Sequence, residues 1–386
     1  MPAQGSPELV DRVRRRIAGA PASPADPADF DGLVRTETAG IVDDAVFARL
    51  RREVAAELHG AGPLEPLLAA PGVTDVLVNG PHDVWVDRGA GLERAPVSLG
   101  DDAAVRRLAQ RLVTGAGGRL DDALPYADAV LADGTRVHAV LPPLVARPTI
   151  SFRVLARRPL GLAELVERGA LSAPVADLLR AVVAARVAFV VSGGTGSGKT
   201  TLLGALLGTA APGERLLLIE DAPELVVAHP HVLRLVARAA NVEGAGAVGQ
   251  RELVRQALRM RPDRLIVGEF RGAEMVELIV ALNTGHEGCA ATVHANSAAD
   301  VPARFVALGA LAGLPAAAVA GLVASAVDVV VHLRRGREGR RAVAEIGLLA
   351  RSGDELRFEP AWTAHGGDGP AAARLRALLD PAASAG

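Results

Sequence analysis

The sequence predicts an α/β protein built largely around a parallel β-sheet. Short apolar runs typical of buried strands recur through the second half of the chain, at 187–191, 215–220, 265–269 and 290–294. Helix-like stretches separate them, among them 248–260 and 274–282. Alternation of this kind implies a parallel sheet with helices on both faces.

The chain divides into four expected regions. At 386 residues, about two or three domains are expected. Residues 1–60 are predicted to form an arginine-rich helical extension, interrupted by a proline-rich linker at 21–27. This extension would serve either as a solvated appendage or as a docking segment for a partner. A smaller α/β N-domain is expected at 61–155 and the larger domain at 156–365, and the Ala/Gly/Pro-rich end, 366–386, is expected to be mobile.

The N-domain shows its own pattern of strands and a helix. Alternating apolar residues predict strands at 73–80 and 83–88 around a Gly80–Pro81 turn, an amphipathic helix at 101–114, and further strands at 129–140 and 149–154. In the larger domain a helical stretch at 161–184 leads into the first strand. Two more strands, 327–333 and 341–349, are expected around a charged turn near its end.

The composition excludes several classes of protein. Half of the residues are hydrophobic but only 3% are aromatic, so Leu, Val and Ala must fill the cores. The formal net charge of −2 gives no general attraction to nucleic acid or an anionic membrane. The single cysteine, Cys289, rules out an intrachain disulfide framework and a four-cysteine metal site.

The sequence predicts no secretory leader and no membrane span. The N-terminus lacks the apolar core of a signal peptide. The run 305–332 comes nearest to a span, but Pro315 and Asp328 favour a buried helix followed by a strand. We therefore expect a cytoplasmic protein whose role at a membrane, if any, depends on partners.

Residues 193–200 carry the strongest motif. They read GGTGSGKT, match G-x-x-x-x-G-K-[ST], and lie between a predicted strand and a predicted helix. Glycine-loop amides can surround phosphate oxygens, and the helix N-terminus adds its dipole. Lys199, the only lysine in the chain, would reach the β- and γ-phosphates, and the Thr200 hydroxyl would hold Mg²⁺. A flexible glycine loop without a ligand is the alternative. The predicted nucleotide-binding set is Gly193, Gly194, Thr195, Gly196, Ser197, Gly198, Lys199, Thr200 and Thr201.

Acidic residues follow two of the predicted strands. Glu220 and Asp221 come after the run 216–219, and Glu269 follows the next strand along the chain. Ligands of open parallel sheets lie at the carboxyl ends of the strands, so these acids should converge near the glycine loop. Phosphoryl transfer to water needs a group that positions the water and a carboxylate that helps to hold Mg²⁺. The alternative for each acid is an exposed carboxylate at a strand end.

Two histidines, His286 and His294, bracket the last parallel strand. A lone histidine is more often a satisfied core or surface residue, but a pair beside a presumed site is more suggestive. A zinc site is also conceivable, although the chain lacks further ligands at metal spacing.

Five motifs in order carry a resemblance to a known family. They are GGTGSGKTT, LLLIEDAPEL, NVEG at 241–244, LVRQALRMRPDRLIVGEFRGAE and NTGHEGCAATVHANSAAD. Together, over about residues 60–350, they resemble the ATPases of the type II/type IV secretion superfamily. The CpaF type, which powers assembly of tight-adherence (Flp) pili, is the most similar branch. The resemblance implies a RecA-like P-loop NTPase domain, a hexamer that hydrolyses ATP with Mg²⁺ between its two domains, and inner-membrane platform partners.

The resemblance also implies roles for individual residues. Glu269 matches the glutamate of an atypical Walker B motif, the candidate catalytic base, and Glu220 and Asp221 match an acidic box. His286 and His294 match a histidine box that senses the γ-phosphate. Arg136 and Arg153 match arginines that act at the nucleotide, although Arg153 fits a domain-interface salt bridge equally well. Arg271 follows the Walker B glutamate with a less defined role. The expected Mg²⁺ ligands are Thr200, Glu220 and Glu269.

The sequence departs from the family pattern in three places. The tetracysteine zinc insertion of type II members is impossible here. Glu287 and Cys289 stand where Asp and Ser are more usual. Residues 1–60 match nothing in the family. Two other functions stay open at this point, a DNA-directed motor and a nucleotide-gated scaffold. Low net charge and few aromatics make nucleic acid an improbable partner.

Overall fold

A computed structural model describes residues 47–48, 60–89, 91–155, 158–238, 246–283, 285, 287–336 and 339–380. The chain forms two compact units that meet in sequence between Leu155 and Ala156. The predicted helical extension, apart from residues 47–48 and Gly60, lies outside the described residues, and so does the NVEG motif at 241–244.

The described residues of the first unit form a six-stranded antiparallel sheet with one long helix. Its strands run in the order β3-β2-β1-β6-β5-β4. They are β1 (Asp75–Gly80), β2 (Asp83–Asp87), β3 (Leu92–Arg94), β4 (Tyr126–Val130), β5 (Arg136–Val140) and β6 (Thr149–Arg153). The helices are α1 (Glu65–Leu68) and α2 (Asp102–Gly115), preceded by a 3₁₀ turn at Gly62–Leu64.

Alternating burial along these strands places one face of the sheet against α2. Val76 and Val78 of β1 are buried, as are Ile150 and Phe152 of β6, and they share an apolar cluster with Leu108 of α2. The two-residue period fits a strand with one covered face. Helix α2 begins where the Asp101 side chain accepts a hydrogen bond from the Ala104 amide at 2.7 Å, a standard N-cap.

The second unit is a nine-stranded mixed sheet in the order β15-β14-β13-β12-β7-β11-β10-β8-β9. The six strands from β12 to β9 are parallel, and β13 to β15 add antiparallel strands at one side. The strands are β7 (Phe189–Gly193), β8 (Leu216–Glu220), β9 (Val232–Val236), β10 (Arg264–Phe270), β11 (Ala290–His294), β12 (Val329–Arg335), β13 (Arg341–Ser352), β14 (Glu355–Thr363) and β15 (Gly367–Asp368).

Helices cover both faces of this sheet. They are α3 (Leu162–Glu167), α4 (Ala173–Ala184), α5 (Lys199–Leu207), α6 (Gln250–Ala257), α7 (Glu274–Leu282), α8 (Val301–Leu311), α9 (Ala316–Ala326) and α10 (Ala372–Leu378), with a 3₁₀ turn at Ala298–Asp300. Leu216 and Leu218 of β8 point into one apolar cluster, whereas Leu217 and Ile219 point into the other. A strand buried on both faces reads as a continuous apolar run, which is the signal that predicted it.

Two parts of the second unit differ from expectation. Strands β9 and β14 extend the sheet beyond the predicted strands. The segment from Gly366, expected to be a mobile tail, contains β15 and α10 within its described part. Ala371, Ala372 and Leu375 are buried there because their helical spacing turns one apolar stripe toward β14.

In the described part of the chain, no single helix is long and apolar enough to cross a membrane. One pair, Ala298–Leu311 and Ala316–Ala326, meets that requirement only when joined, and it is bent by 118° at the break.

Candidate functional site

The glycine loop lies between β7 and α5, as the motif predicts. Gly196 and Gly198 have φ values of 68° and 96°, in the left-handed region that favours glycine. At Gly193 a Cβ atom would stand 2.5 Å from Ser197 Oγ and 2.7 Å from the Leu333 carbonyl oxygen. The loop therefore packs too closely at its first residue for any side chain.

Lys199, at the start of α5, is folded back onto this loop. Its Nζ donates hydrogen bonds to the carbonyl oxygens of Gly193 and Gly194, each at 3.0 Å, and only 9% of the residue is exposed. Burial lowers the pKa of Lys199, while the nearby charges of Glu269 and Glu224 oppose that shift. A bound phosphate would offer this ammonium a stronger partner than two carbonyls.

The other predicted members of the loop set surround the N-terminus of α5. Ser197 is buried, and Thr200 and Thr201 are half-buried in the first turn of the helix. Amides in the first turn of a helix have no intrahelical acceptor and point toward an anion placed at the terminus. The arrangement is therefore suited to bind a polyphosphate.

Strand register brings the predicted acids to the same edge of the sheet. Strands β8 and β10 are parallel neighbours, with Ile219 opposite Val267. A Cβ atom at Gly268 would stand 3.0 Å from Glu220 Cγ, so glycine before Glu269 lets the two strand ends lie close. The geometry thus places Glu220 and Glu269 at one edge, as the sequence predicts.

Glu220, however, is engaged within the protein. It is 2% exposed, and its Oε1 accepts hydrogen bonds from the amides of Glu224 and Leu225 at 2.8 and 2.7 Å. Its Oε2 lies 2.9 Å from Arg234 Nε. Burial raises the pKa of Glu220, and the two amide bonds and Arg234 act against that shift. These contacts show Glu220 shaping the turn after β8. Its predicted role as catalytic acid or Mg²⁺ ligand stays a prediction.

We expect Glu220→Ala to destabilise the fold by roughly 2–4 kcal/mol, because two buried amides lose their acceptor. Glu220→Gln keeps an acceptor oxygen and should destabilise the fold less.

The pKa of Glu220 also makes stability depend on pH. Because its folded-state pKa is raised above the ordinary value of 4.5, Glu220 makes its full contribution to the free energy of unfolding below that pH. The contribution is lost as pH rises through the folded-state pKa. In urea unfolding measured from pH 4 upward, the free energy of unfolding of the wild type should fall relative to that of Glu220→Gln. A difference between the two proteins that does not change with pH would contradict this.

Glu269 is the more accessible acid, and it is held by Arg271. Its Oε2 lies 2.6 Å from Arg271 Nη2 and 2.7 Å from Arg271 Nε, and Arg271 Nη1 is 3.8 Å from Asp221 Oδ2. Burial acts to lower the pKa of Arg271, but the hydrogen bond from Glu269 and the charges of Glu269, Asp221 and Glu224 raise it overall. Arg271 therefore links the two strand-end acids Glu269 and Asp221.

Glu224 belongs to this cluster, although sequence reasoning did not single it out. Its charge acts on both Lys199 and Arg271. The run Glu220-Asp-Ala-Pro-Glu224 could have indicated it, because a second glutamate follows closely after the one at the strand end.

One of the two predicted histidines lies beside the loop. His294 ends β11 and stands opposite Gly193, because β11 pairs with β7 in parallel register. His286 lies outside the described residues, so its predicted role stays a prediction.

The two predicted arginines lie in the first unit. Arg136 of β5 and Arg153 of β6 are directly opposite each other, and Arg153 Nε is 3.1 Å from Asp75 Oδ1 of β1. Arg153 thus forms a salt bridge within its own unit. The proposed role of both at a nucleotide stays a prediction.

Strand β12 lies beside the glycine loop, a contact that the sequence does not predict. His332 and Leu333 stand opposite Ser192 and Gly193. From the same hairpin, Arg335 Nη1 and Arg341 Cδ each lie 3.5 Å from the positions that Cβ atoms of Gly196 and Gly198 would take. The loop is therefore bordered by a buried histidine and two arginines.

A Mg²⁺ ion would need phosphate oxygens as ligands in addition to the side chains of the described residues. The described residues contain no group of three or more His, Cys, Asp or Glu side chains able to hold a metal. Mg²⁺ in phosphate sites is held by one or two protein oxygens together with phosphate oxygens and water. The Thr200 hydroxyl and the Glu269 carboxylate are donors of that kind.

Comparison with known proteins gives the following matches. Residues 57–356 match the family model described as type II/IV secretion system protein. The chain is 53% identical over 350 residues to a putative conjugal transfer protein of Mycobacterium tuberculosis, covering 89% of this chain and 99% of that protein. It is 32% identical over 330 residues to a type IV secretion system protein PtlH homolog of Bordetella bronchiseptica, covering 76% of this chain and 95% of that protein.

Solved structures also resemble this chain in fold. The crystal structure of the pilus retraction motor PilT with bound ADP aligns with a TM-score of 0.54 at 20% identity, covering 75% of this chain and 82% of that chain. At that identity the likeness shows the fold alone. With the nine-stranded sheet, it confirms the predicted α/β fold class and is consistent with a RecA-like unit. The family description is broader than the CpaF type, so that finer assignment stays a prediction.

Proposed function

The chain belongs to the type II/IV secretion system protein family, and we propose that it is a Mg²⁺-dependent ATPase that powers a membrane-associated machine. One observation carries the enzymatic part of this proposal. A glycine loop with its lysine lies at the carboxyl edge of the sheet where β10 also delivers Glu269, and the charge of Glu269 acts on Lys199. Phosphate-binding and water-activating groups thus meet at one edge.

The residues at the carboxyl edge of the sheet have separate roles in hydrolysis. Loop amides and Lys199 hold the β- and γ-phosphates, with Lys199 exchanging its two carbonyl acceptors for phosphate oxygens. Glu269 orients the attacking water and accepts its proton as the bond from the γ-phosphorus to ADP breaks. Mg²⁺, held by Thr200 and Glu269, would neutralise charge on the phosphates. His294, opposite Gly193, is placed to respond to the γ-phosphate.

We also propose how hydrolysis becomes motion. The protein works as a homo-hexamer in the cytoplasm, peripheral to the inner face of the cell membrane, and its conformation changes with each round of hydrolysis. Inner-membrane platform proteins receive the motion, and pilus assembly of the CpaF type or protein secretion is the work performed.

A second candidate is a DNA-directed conjugation motor, which is favoured by the similarity to the putative conjugal transfer protein of Mycobacterium tuberculosis. The net charge of −2 and the 3% aromatic content disfavour a site that stacks bases of single-stranded DNA. A third, a nucleotide-gated scaffold without useful turnover, is disfavoured because both Lys199 and Glu269 are in place.

The test is phosphate release by the purified full chain, measured with and without Mg²⁺ and with and without single- and double-stranded DNA. The proposal predicts Mg²⁺-dependent release that DNA does not change. Strong stimulation by DNA would favour the conjugation motor. Nucleotide binding without release would favour the scaffold.

The arginines of the first unit make a separate prediction. A cationic finger acts on charge that builds during phosphoryl transfer and is worth roughly 10³–10⁵ in rate in related reactions. We expect Arg136→Ala or Arg153→Ala to cut turnover at least about a hundredfold while nucleotide affinity stays within about tenfold. Because Asp75 holds Arg153, the matched control is Asp75→Asn, which removes the pair and keeps the arginine.

The outcome depends on which role Arg153 has. If it acts at the nucleotide, Asp75→Asn keeps turnover that Arg153→Ala loses. Equal loss of melting temperature in both variants, with turnover intact, would show that the pair only stabilises the sheet. A chain truncated to residues 160–386 that retained full turnover would also contradict the finger role.

A further inference from the structure

We infer that His332 is a positioning residue that anchors the base of the nucleotide-binding loop through Ser192; this inference rests on the proposed function. His332 is 1% exposed, and Ser192 is fully buried. His332 Nδ1 lies 2.9 Å from Ser192 Oγ, within hydrogen-bond distance. Ser192 immediately precedes Gly193, so the bond holds the last residue before the loop.

The register of the sheet makes this contact part of the loop's construction. Strands β7 and β12 are parallel, and Leu333 stands opposite Gly193. The absent Cβ of Gly193 would lie 2.7 Å from the Leu333 carbonyl oxygen. The loop base therefore rests directly on residues 332–333, and a shift of β12 there would shift the first phosphate-binding amide.

The other side of the imidazole ring faces the segment after β11. His332 Nε2 is buried and makes no well-formed hydrogen bond with the described residues. Burial lowers the pKa of His332, and the charges of Arg334 and Lys199 lower it further. Asp300 and the backbone of Asn296 act in the opposite direction, and Glu345 stands across from His332 on β13. Ser192 Oγ can donate to or accept from Nδ1, depending on which ring nitrogen carries the proton.

The ring bonds one segment of the site and lies beside another. Ser192 leads into the glycine loop, whereas Asn296 and Asp300 follow His294 at the end of β11. Breaking a buried hydrogen bond leaves its donor and acceptor unsatisfied, which raises the free energy of any conformation that lacks the bond. The Ser192–His332 bond thus favours the conformation in which the base of the loop packs against β12.

The anchor matters most when nucleotide binds. Lys199 now donates to the Gly193 and Gly194 carbonyls, and it must release both to contact phosphate. Once those bonds are lost, the Ser192–His332 bond continues to hold the loop base against β12. Apparent affinity falls in proportion to the fraction of molecules in the binding-competent conformation, so weakening the anchor weakens binding.

The experiment measures affinity of the full chain for a fluorescent ATP analogue (mant-ATP), together with turnover and melting temperature. The variants are Ser192→Ala, His332→Leu, the double variant and His332→Asn. Ser192→Ala removes the bond with little change of volume, so it carries the test if His332→Leu fails to fold. Cys289→Ala is the matched control, a buried small side chain immediately before neighbouring strand β11, at the end away from the loop.

We expect Ser192→Ala and His332→Leu each to weaken mant-ATP binding about tenfold. The double variant should be no weaker than the worse single variant, because both remove one bond. His332→Asn, which offers an amide near the Nδ1 position, should stay within about threefold of wild type. Cys289→Ala should keep wild-type affinity.

Several results would overturn the inference. One is lower melting temperatures in the Ser192 and His332 variants with unchanged affinity and turnover, which would show packing alone. Another is a double variant whose loss equals the product of the single losses, since independent effects mean no shared bond. A wild-type chain that binds no nucleotide would instead overturn the proposed function, and the inference with it.

Discussion

Lys199→Ala is expected to abolish ATP turnover and to weaken nucleotide binding. The variant removes the only lysine of the chain from a nearly buried position at the start of α5. No other residue of the loop can supply a flexible ammonium to the β- and γ-phosphates. Loss of one such preorganised charge costs at least about a hundredfold in rate. Steady-state phosphate release and mant-ATP titration measure the two effects.

The matched control for this prediction is Lys199→Arg. It keeps the positive charge but places a planar guanidinium where Nζ now bonds two carbonyls at 3.0 Å. We expect it to restore some binding and little turnover, because the fork does not fit a pocket shaped for a single ammonium. Near-normal turnover in Lys199→Ala would remove the glycine loop as the nucleotide site.

Glu269→Gln is expected to keep ATP binding and to stop hydrolysis. The amide preserves the shape of the side chain but is a far weaker base, and general-base catalysis is worth about 10²–10⁴ in rate. Arg271 still finds an acceptor oxygen in the glutamine, so the local geometry at 2.6–2.7 Å should persist. Pre-steady-state phosphate release, compared with nucleotide affinity, separates the two steps.

Glu220→Gln is the matched comparison for Glu269→Gln. Both change a strand-end glutamate to its amide, but Glu220 already accepts two backbone hydrogen bonds and is 2% exposed. We expect Glu220→Gln to keep most of its turnover. If Glu269→Gln stays active and Glu220→Gln is inactive, the base lies at the other strand end.

Strands buried on both faces were the most predictable part of the fold. The runs at 187–191, 215–220, 265–269 and 290–294 correspond to β7, β8, β10 and β11, because continuous apolar segments have few alternatives in a domain of this size. Strand β9 was not predicted because its residues are half-buried or exposed and its sequence includes Arg234. The helix at 372–378 was not predicted because a short apolar stripe is hard to distinguish within an alanine-rich sequence.

The site was predictable where one chain segment carries the chemistry. The loop 193–200 and the strand-end acids were found from spacing alone. The distinction between Glu220 and Glu269 was not, because it depends on which carboxylate the turn at 224–225 and Arg234 occupy. His332 was also missed, since its contact with Ser192 joins residues 140 positions apart and only the pairing of β12 with β7 creates it.

The central claim is that the glycine loop and Glu269 together form an ATP-hydrolysing site. The most direct measurement is titration of ATP with Mg²⁺ into the wild type, Glu269→Gln and Lys199→Ala, with phosphate release followed in the same samples. We expect the wild type to bind ATP and release phosphate, Glu269→Gln to bind ATP without releasing phosphate, and Lys199→Ala to bind ATP weakly and release none. Equal phosphate release by all three proteins would contradict it.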